Sequence, residues 1–371
     1  MEIAFCINKY FPYGGLQRDF MRITREILSR GHTVRVYTRQ WEGDKPSDLE
    51  VIKVRTTSIR NIGKNIQYYR WVQNHLKAHP VDKVVGFNRM PNLDIYFAGD
   101  VCYAENNKNR SFLYKLSSRY RHFIKFEAAV FNKGLNTKIL LLTEKSKNDF
   151  QKHYDTEDSR FYLLPPGIDP DRKYDKQPSN SRENFREEFK IQPDQKLLLQ
   201  VCSNYELKGV DRSLKAIANL PEEIKKKIVF FVVGQDSPDK MRQLAQSLNI
   251  QDQVHFFGGR DDIARFMLGS DLMLHPARHE AAGIVILESI VSGLPIIVSG
   301  ACGYASYTDK AQAGIVLNEP FNQNEYNQAI RNVLMDTVLL NKWSKNAKDY
   351  ADRTDLYGLA KKAADIILDQ Q

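Results

Sequence analysis

Short apolar runs rich in Val, Ile, Leu and Phe alternate with amphipathic stretches along this whole chain. That alternation is the pattern of βα units, whose parallel strands are buried on both faces beneath their helices. Glu2–Ile7 reads as a strand, Gly15–Arg30 as a helix closed by Gly31, and Thr33–Thr38 as the next strand. Lys83–Phe87, Leu93–Ala98 and Lys138–Thr143 extend the same sheet. A polar connection from Asp169 to Gln195, with Pro170, Pro178 and Pro193, leads to a second series at Lys196–Cys202, Ile228–Val233, Val254–Phe257, Leu272–His275, Ile296–Val298 and Ile315–Leu317. Helices near Leu339–Ala351 and Tyr357–Asp369 end it. At 371 residues the chain is too long for one core. The expectation is an α/β protein of two Rossmann-like parallel-sheet domains facing across a cleft. Residues 1–168 form the first, 169–354 the second, and a last helix at about 355–371 packs back onto the first. Ligands of such sheets bind beyond the carboxyl ends of the strands, so function is sought in those loops.

Composition narrows the class. Hydrophobic residues at 42% and charged residues at 27% suit a folded globule and exclude a disordered chain. The net charge of +9 suits an anionic partner without naming it. Met1–Ile7 reads as a strand and not a signal peptide, and no apolar run approaches the roughly 20 residues that span a bilayer, so a cytoplasmic location is expected. Cys6, Cys102, Cys202 and Cys302 show no metal-ligand spacing and read as small apolar fillers.

Two loops carry chemistry. After the first strand comes Asn8-Lys9-Tyr10-Phe11-Pro12-Tyr13-Gly14-Gly15, and glycines opening a helix let backbone amides approach a phosphate. The G-x-G-x-x-G spacing is absent and the second strand ends in Thr38-Arg39 without a ribose-binding acid, which counts against a dehydrogenase. An ordinary tight turn would account for these glycines equally well, and a surface acid for Asp19. The second loop is stronger: His275-Pro276-Ala277-Arg278-His279-Glu280-Ala281-Ala282-Gly283 follows a strand and opens the helix carrying Glu288. Small residues there offer bare amides at a helix start, and Glu288 sits among Ile284, Val285, Ile286, Leu287, Ile290 and Val291, where a lone carboxylate would be costly. A buried partner such as a ribose hydroxyl is expected.

Glu280 and Glu288 with seven residues between them, followed by Gly293-Leu294-Pro295, resemble the signature of glycosyltransferase family 4, whose members have the GT-B fold and retain the anomeric configuration. Lys208-Gly209, Phe257-Gly258-Gly259-Arg260 and Pro165-Pro166-Gly167-Ile168-Asp169 extend the resemblance over the whole chain. Lys9-Tyr10-Phe11-Pro12, Trp41-Glu42-Gly43-Asp44, Val85-Gly86-Phe87-Asn88, Ser118-Arg119-Tyr120-Arg121-His122 and Cys302-Gly303-Tyr304-Ala305 are similar to a narrower group within it, the lipopolysaccharide core glucosyltransferases of Gram-negative bacteria. The resemblance implies transfer of glucose from UDP-glucose to inner-core heptose. It implies that Lys208 and Arg172 neutralise the diphosphate with a backbone donor from Gly15. Arg260 and Asp261 then hold the uracil, Glu288 the ribose, and Glu280 with the amides of Ala282, Gly283 and Ile284 the sugar. Asp100 stands close to the transferred sugar and Asp19 on the acceptor side, so Asp19, Asp100, Lys208 and Glu280 are the catalytic candidates. The chain departs from the family where an Arg usually stands, at Ser203, and where close relatives often carry a second base, at Leu207.

The implied mechanism is a front-face substitution in which cations and backbone amides stabilise the leaving diphosphate and a phosphate oxygen takes the acceptor proton. It needs no metal or other cofactor. Lys108, Arg110, Lys115, Arg119, Arg121 and Lys125, interleaved with Leu113, Leu116, Tyr120 and Phe123, read as a basic amphipathic helix suited to an anionic membrane surface. A helix packed on its own domain with solvated bases is the competing reading. The expected protein is monomeric and peripheral on the inner face of the inner membrane. Other readings are another UDP-sugar (galactose or an N-acetylhexosamine) on a lipid-linked or soluble glycan, a UDP-sugar epimerase, an inactive binding module, and a basic nucleic-acid-binding protein. The last lacks any zinc, helix-turn-helix or RNP-like pattern, so no nucleic-acid partner is expected.

Overall fold

The computed structural model describes residues 1–12, 14–178 and 180–369; Tyr13 of the first-loop motif lies outside them. The chain divides into two compact units, one formed by Met1–Gly167 with Gly358–Gln371 and the other by Ile168–Tyr357.

In the first unit the described residues form a seven-stranded sheet: β1 Glu2–Cys6, β2 Thr33–Thr38, β3 Glu50–Lys53, β4 Lys83–Gly86, β5 Ile95–Ala98, β6 Lys138–Leu141 and β7 Phe161–Leu163. Their order is β3-β2-β1-β4-β5-β6-β7 with every pairing parallel. Strands such as β5, Ile-Tyr-Phe-Ala, are buried at every position because helices cover both faces. The helix Gly15–Ser29 buries Phe20, Ile23, Thr24 and Ile27, three- and four-residue steps that make one apolar face. The helix Leu359–Ile367 lies against it. Arg30 bonds Asp365 at 2.7 Å, and the Leu359 amide donates to Pro166 at 3.1 Å.

The second unit repeats the arrangement with six strands: β8 Lys196–Val201, β9 Ile228–Val233, β10 Val254–Phe257, β11 Leu272–His275, β12 Ile296–Ser299 and β13 Gly314–Leu317. They run parallel in the order β10-β9-β8-β11-β12-β13. The reversal of direction beside β8 is a topological switch point, and the loops after β8 and β11 open side by side there.

Two readings of the sequence need correction. The stretch 169–195 is not a bare connection, since it contains the helix Ser181–Glu188. Phe185 of that helix is fully buried against Phe266, with ring centroids 5.0 Å apart, so one apolar side chain makes the polar segment part of the domain. The basic segment is also not one helix. It is broken into Phe112–Lys115 and Ser118–Phe131, because the hydroxyls of Ser111 and Ser117 each accept an amide from the turn that follows and so start a helix anew.

Candidate active site

Glu280 is a heavily partnered acid of the second unit. It follows β11 and is held by a bridge to Cys302, whose neighbour Gly303 donates its amide to the Glu280 carbonyl at 3.2 Å. One carboxylate oxygen pairs with the Lys208 ammonium, and the other lies 2.5 Å from Nε2 of His275, the buried last residue of β11. Burial alone would raise the Glu280 carboxyl; the charge and hydrogen bond of His275, with those of Lys208, outweigh it and bring its pKa down to about 2. Burial alone would lower the pKa of His275, but Glu280, with help from Cys302, lifts it to about 9. The set is therefore an imidazolium and an ammonium on one carboxylate near neutral pH.

Local geometry fixes each member. Lys208 sits in the loop after β8, where its carbonyl accepts from Gln200 at 2.8 Å and Gly209 turns the chain at φ +74°. A Cβ on Gly209 would stand 2.2 Å from the Pro276 carbonyl oxygen, so glycine is what lets this loop close on the one bearing Glu280. Gly283 at φ +89° opens the helix Ile284–Val291, and among the described residues no side chain caps that end. A Cβ there would lie 3.2 Å from a Glu280 carboxylate oxygen, which locates Glu280 beside the helix start and its amides from Gly283 and Ile284. Ala282 is engaged through its carbonyl, which accepts from Tyr304 at 2.7 Å.

Glu288 lies about 6 Å further along this helix by its 1.5 Å rise per residue. It is buried, and Nε of Arg172 stands 3.9 Å from it. Arg172 is nearly as enclosed, its carbonyl accepting from Ser292 at 3.2 Å. The pairing expected of Glu288 thus includes a protein cation. Arg260, by contrast, is exposed at the end of β10. Its guanidinium makes two 2.8 Å bonds to Asp262 and lies 5.3 Å over the Phe266 ring, while Asp261 is exposed. Ser203 and Leu207 are both on the surface.

The remaining candidates belong to the first unit. Gly15 is exposed at the start of its helix. Asp19, one turn on, pairs with Arg22 at 3.2 Å. Asp100 is exposed just past β5. In the basic segment Lys108, Arg110, Arg119, Arg121 and Lys125 are exposed, and Lys115 donates to the Lys108 carbonyl at 2.8 Å. Phe112, Leu113 and Leu116 also face solvent, at 74%, 80% and 52% exposure, so the short helix is not spending its apolar side chains on the core. Tyr120 and Phe123 instead pack on Tyr103.

Sequence reasoning missed His275 as a site residue, although its place five residues before Glu280 at a strand end was the available signal. It also read Cys302 as a filler without a nearby His. Its sulfur lies with a His275 ring nitrogen and a Glu280 oxygen inside a span of 4.8 Å, a spacing that a metal ion can bridge. The protonated His275 ring and the Lys208 ammonium already engage the Glu280 carboxylate there, and a dication would have to displace both.

Comparisons with known proteins agree with this architecture. Residues 13–172 match the family described as Glycosyltransferase Family 4, and residues 181–350 match Glycosyl transferases group 1. The lipopolysaccharide glucosyltransferase WaaG of Escherichia coli K12 is 55% identical over 368 residues, covering 99% of this chain and 98% of the relative. A crystal structure of WaaG, described as a glycosyltransferase involved in lipopolysaccharide biosynthesis, superposes with a TM-score of 0.95 over 98% of this chain and 99% of that one. Anabaena HepE, solved with UDP and glucose, shares the fold at 17% identity with a TM-score of 0.77 over the full length of both chains. With both halves of the chain matched and a relative this close along its whole length, the chain belongs to the WaaG family of GT-B glycosyltransferases.

Proposed function

We propose that this chain transfers glucose from UDP-glucose, with retention, to the inner-core heptose of lipopolysaccharide, without a metal. The observation that carries the proposal is the ionised Glu280 held between Lys208 and His275 at the start of the helix bearing Glu288. In this reading Lys208, already at the Glu280 carboxylate, shares its charge with the donor diphosphate, Arg172 adds a second cation, and the Gly283 and Ile284 amides donate to sugar or phosphate oxygens. A carboxylate kept charged and anchored accepts hydrogen bonds from sugar hydroxyls without reorganising. Glu288 beside Arg172 receives the ribose hydroxyls, Arg260 and Asp261 flank the uracil, and Gly15 adds a backbone donor. Asp100 stands by the transferred sugar and Asp19 on the acceptor side. The relative's name supports glucose and lipopolysaccharide. Assay of UDP-glucose, UDP-galactose and UDP-N-acetylglucosamine with heptose-terminated lipopolysaccharide tests it. Transfer is expected from UDP-glucose and should persist in excess EDTA. Preference for another sugar would overturn the donor, and chelator loss restored by added metal would overturn the metal-free mechanism.

The ionic set has a pH signature. His275 is raised from 6.5 to about 9 on folding, so its contribution to stability is complete below 6.5 and is lost as pH climbs through 9. Glu280 is lowered from 4.5 to about 2, so its contribution is complete above 4.5 and is lost as pH falls through 2. Chemical denaturation should therefore find His275→Asn more destabilising at pH 6 than at pH 9.5. An equal loss at both would contradict the assignment.

The chain is further proposed to act as a monomer docked on the inner face of the inner membrane through the exposed basic and apolar segment around Lys108–Lys125. No described helix is long and apolar enough to cross a membrane. Binding to phosphatidylglycerol vesicles should be salt-sensitive. Replacing Arg119, Arg121 and Lys125 by Gln should weaken it by on the order of a hundredfold, at about fivefold per base. Equal binding to neutral vesicles would contradict this.

A further inference from the structure

The first unit holds an ion pair that the reaction as described does not use. Arg89, in the loop after β4, points one guanidinium nitrogen at Glu127 at 2.9 Å, and Glu127 is fully buried. The other terminal nitrogen of Arg89 donates to the carbonyls of Asp100 at 3.3 Å and Val101 at 2.5 Å. Glu127 accepts the amides of Tyr103 at 2.8 Å and Ala104 at 3.0 Å, and the hydroxyl of Tyr154 at 2.6 Å. Four of the five consecutive residues Asp100–Ala104 thus have a backbone polar group fixed by one ion pair, two carbonyls by the cation and two amides by the anion.

A buried ion pair seldom stabilises a fold more than apolar residues of the same size would, because both charges must first leave water. What this pair does supply is geometry. Apart from the bond from Tyr154, its remaining valences end on the short segment Asp100–Ala104, and that segment carries an exposed carboxylate, Asp100, on a backbone that the pair leaves little room to move. Glu127 also belongs to the helix Ser118–Phe131, whose exposed side bears Arg119, Arg121 and Lys125. One side chain therefore joins the basic surface helix to the Asp100 loop.

We propose that Arg89 and Glu127 are positioning residues for the transfer step: they fix where the Asp100 carboxylate stands and tie that position to the surface-facing helix. The inference rests on the reading above that Asp100 faces the transferred sugar. A displacement of about 1 Å at a reacting centre costs on the order of a hundredfold in rate, so a loosened clamp should appear in kcat. Nucleotide binding, assigned above mainly to the other unit, should be spared.

The experiment compares wild type with Glu127→Gln, which keeps the shape and loses the charge, and Arg89→Lys, which keeps the charge and loses the fork. Each is assayed with UDP-glucose and heptose-terminated lipopolysaccharide well below its melting temperature, and its thermal shift with UDP is recorded. The expected result is a kcat lower by tenfold or more in both variants, with KM for UDP-glucose within about twofold and an unchanged UDP shift. A lower melting temperature with unchanged kcat would assign the pair to stability alone and overturn the proposal, as would failure of both variants to fold. Asp100→Ala separates the two levels. If it keeps wild-type kcat, the reading of Asp100 fails, and if it loses kcat while the pair variants do not, only the present inference fails. Absence of any transfer by the wild type would instead refute the proposed function.

Discussion

One carboxylate organises the strand-end loops of the second unit. Glu280 stands where a strand, a loop and a helix start meet, and it would be an expensive residue to enclose without compensation. Lys208 arrives from the neighbouring strand end and His275 from its own, so two cations converge on the acid from adjacent βα units. The same contacts that make the acid tolerable keep it ionised, which is the state a sugar hydroxyl needs in an acceptor. Stability and chemistry here draw on a single arrangement.

The sheet order explains why the arrangement forms at this spot. β8 and β11 lie side by side at the point where the strand order reverses, so the loops that follow them flank one crevice. Gly209 lets the first loop press against the Pro276 carbonyl, and Gly283 lets the second turn sharply into its helix. In the first unit the loop after β5 carries Asp100 and is fixed differently, by a buried ion pair reaching in from a neighbouring loop and from a surface helix. Two charged clusters, one in each unit, thus determine where loops at the carboxyl ends of the strands come to rest.

Much of this was legible in the sequence. Strand runs such as Ile228–Val233 announce themselves by continuous apolar residues, and the small residues Ala281–Gly283 ahead of an apolar run mark the start of the helix that carries Glu288. What the sequence hid were contacts across long separations. Nothing local says that Lys208 reaches Glu280, that Arg172 stands beside Glu288, or that Arg89 and Glu127 share a loop, because each pairing is created by sheet order. The helix within 169–195 was hidden for another reason: a single buried Phe185 anchors a segment whose other side chains are mostly polar. The break at Ser117 was missed because apolar spacing runs through it, while a serine cap competes locally with helix continuation.

The central claim is that Glu280 and Glu288 grip one donor molecule, the first at its sugar and the second at its ribose. Calorimetric titration of UDP and UDP-glucose into wild type, Glu280→Gln and Glu288→Gln measures this directly. The account predicts that Glu280→Gln weakens UDP-glucose by tenfold or more while affecting UDP much less, and that Glu288→Gln weakens both alike. Wild-type affinity for UDP-glucose in both variants would contradict it.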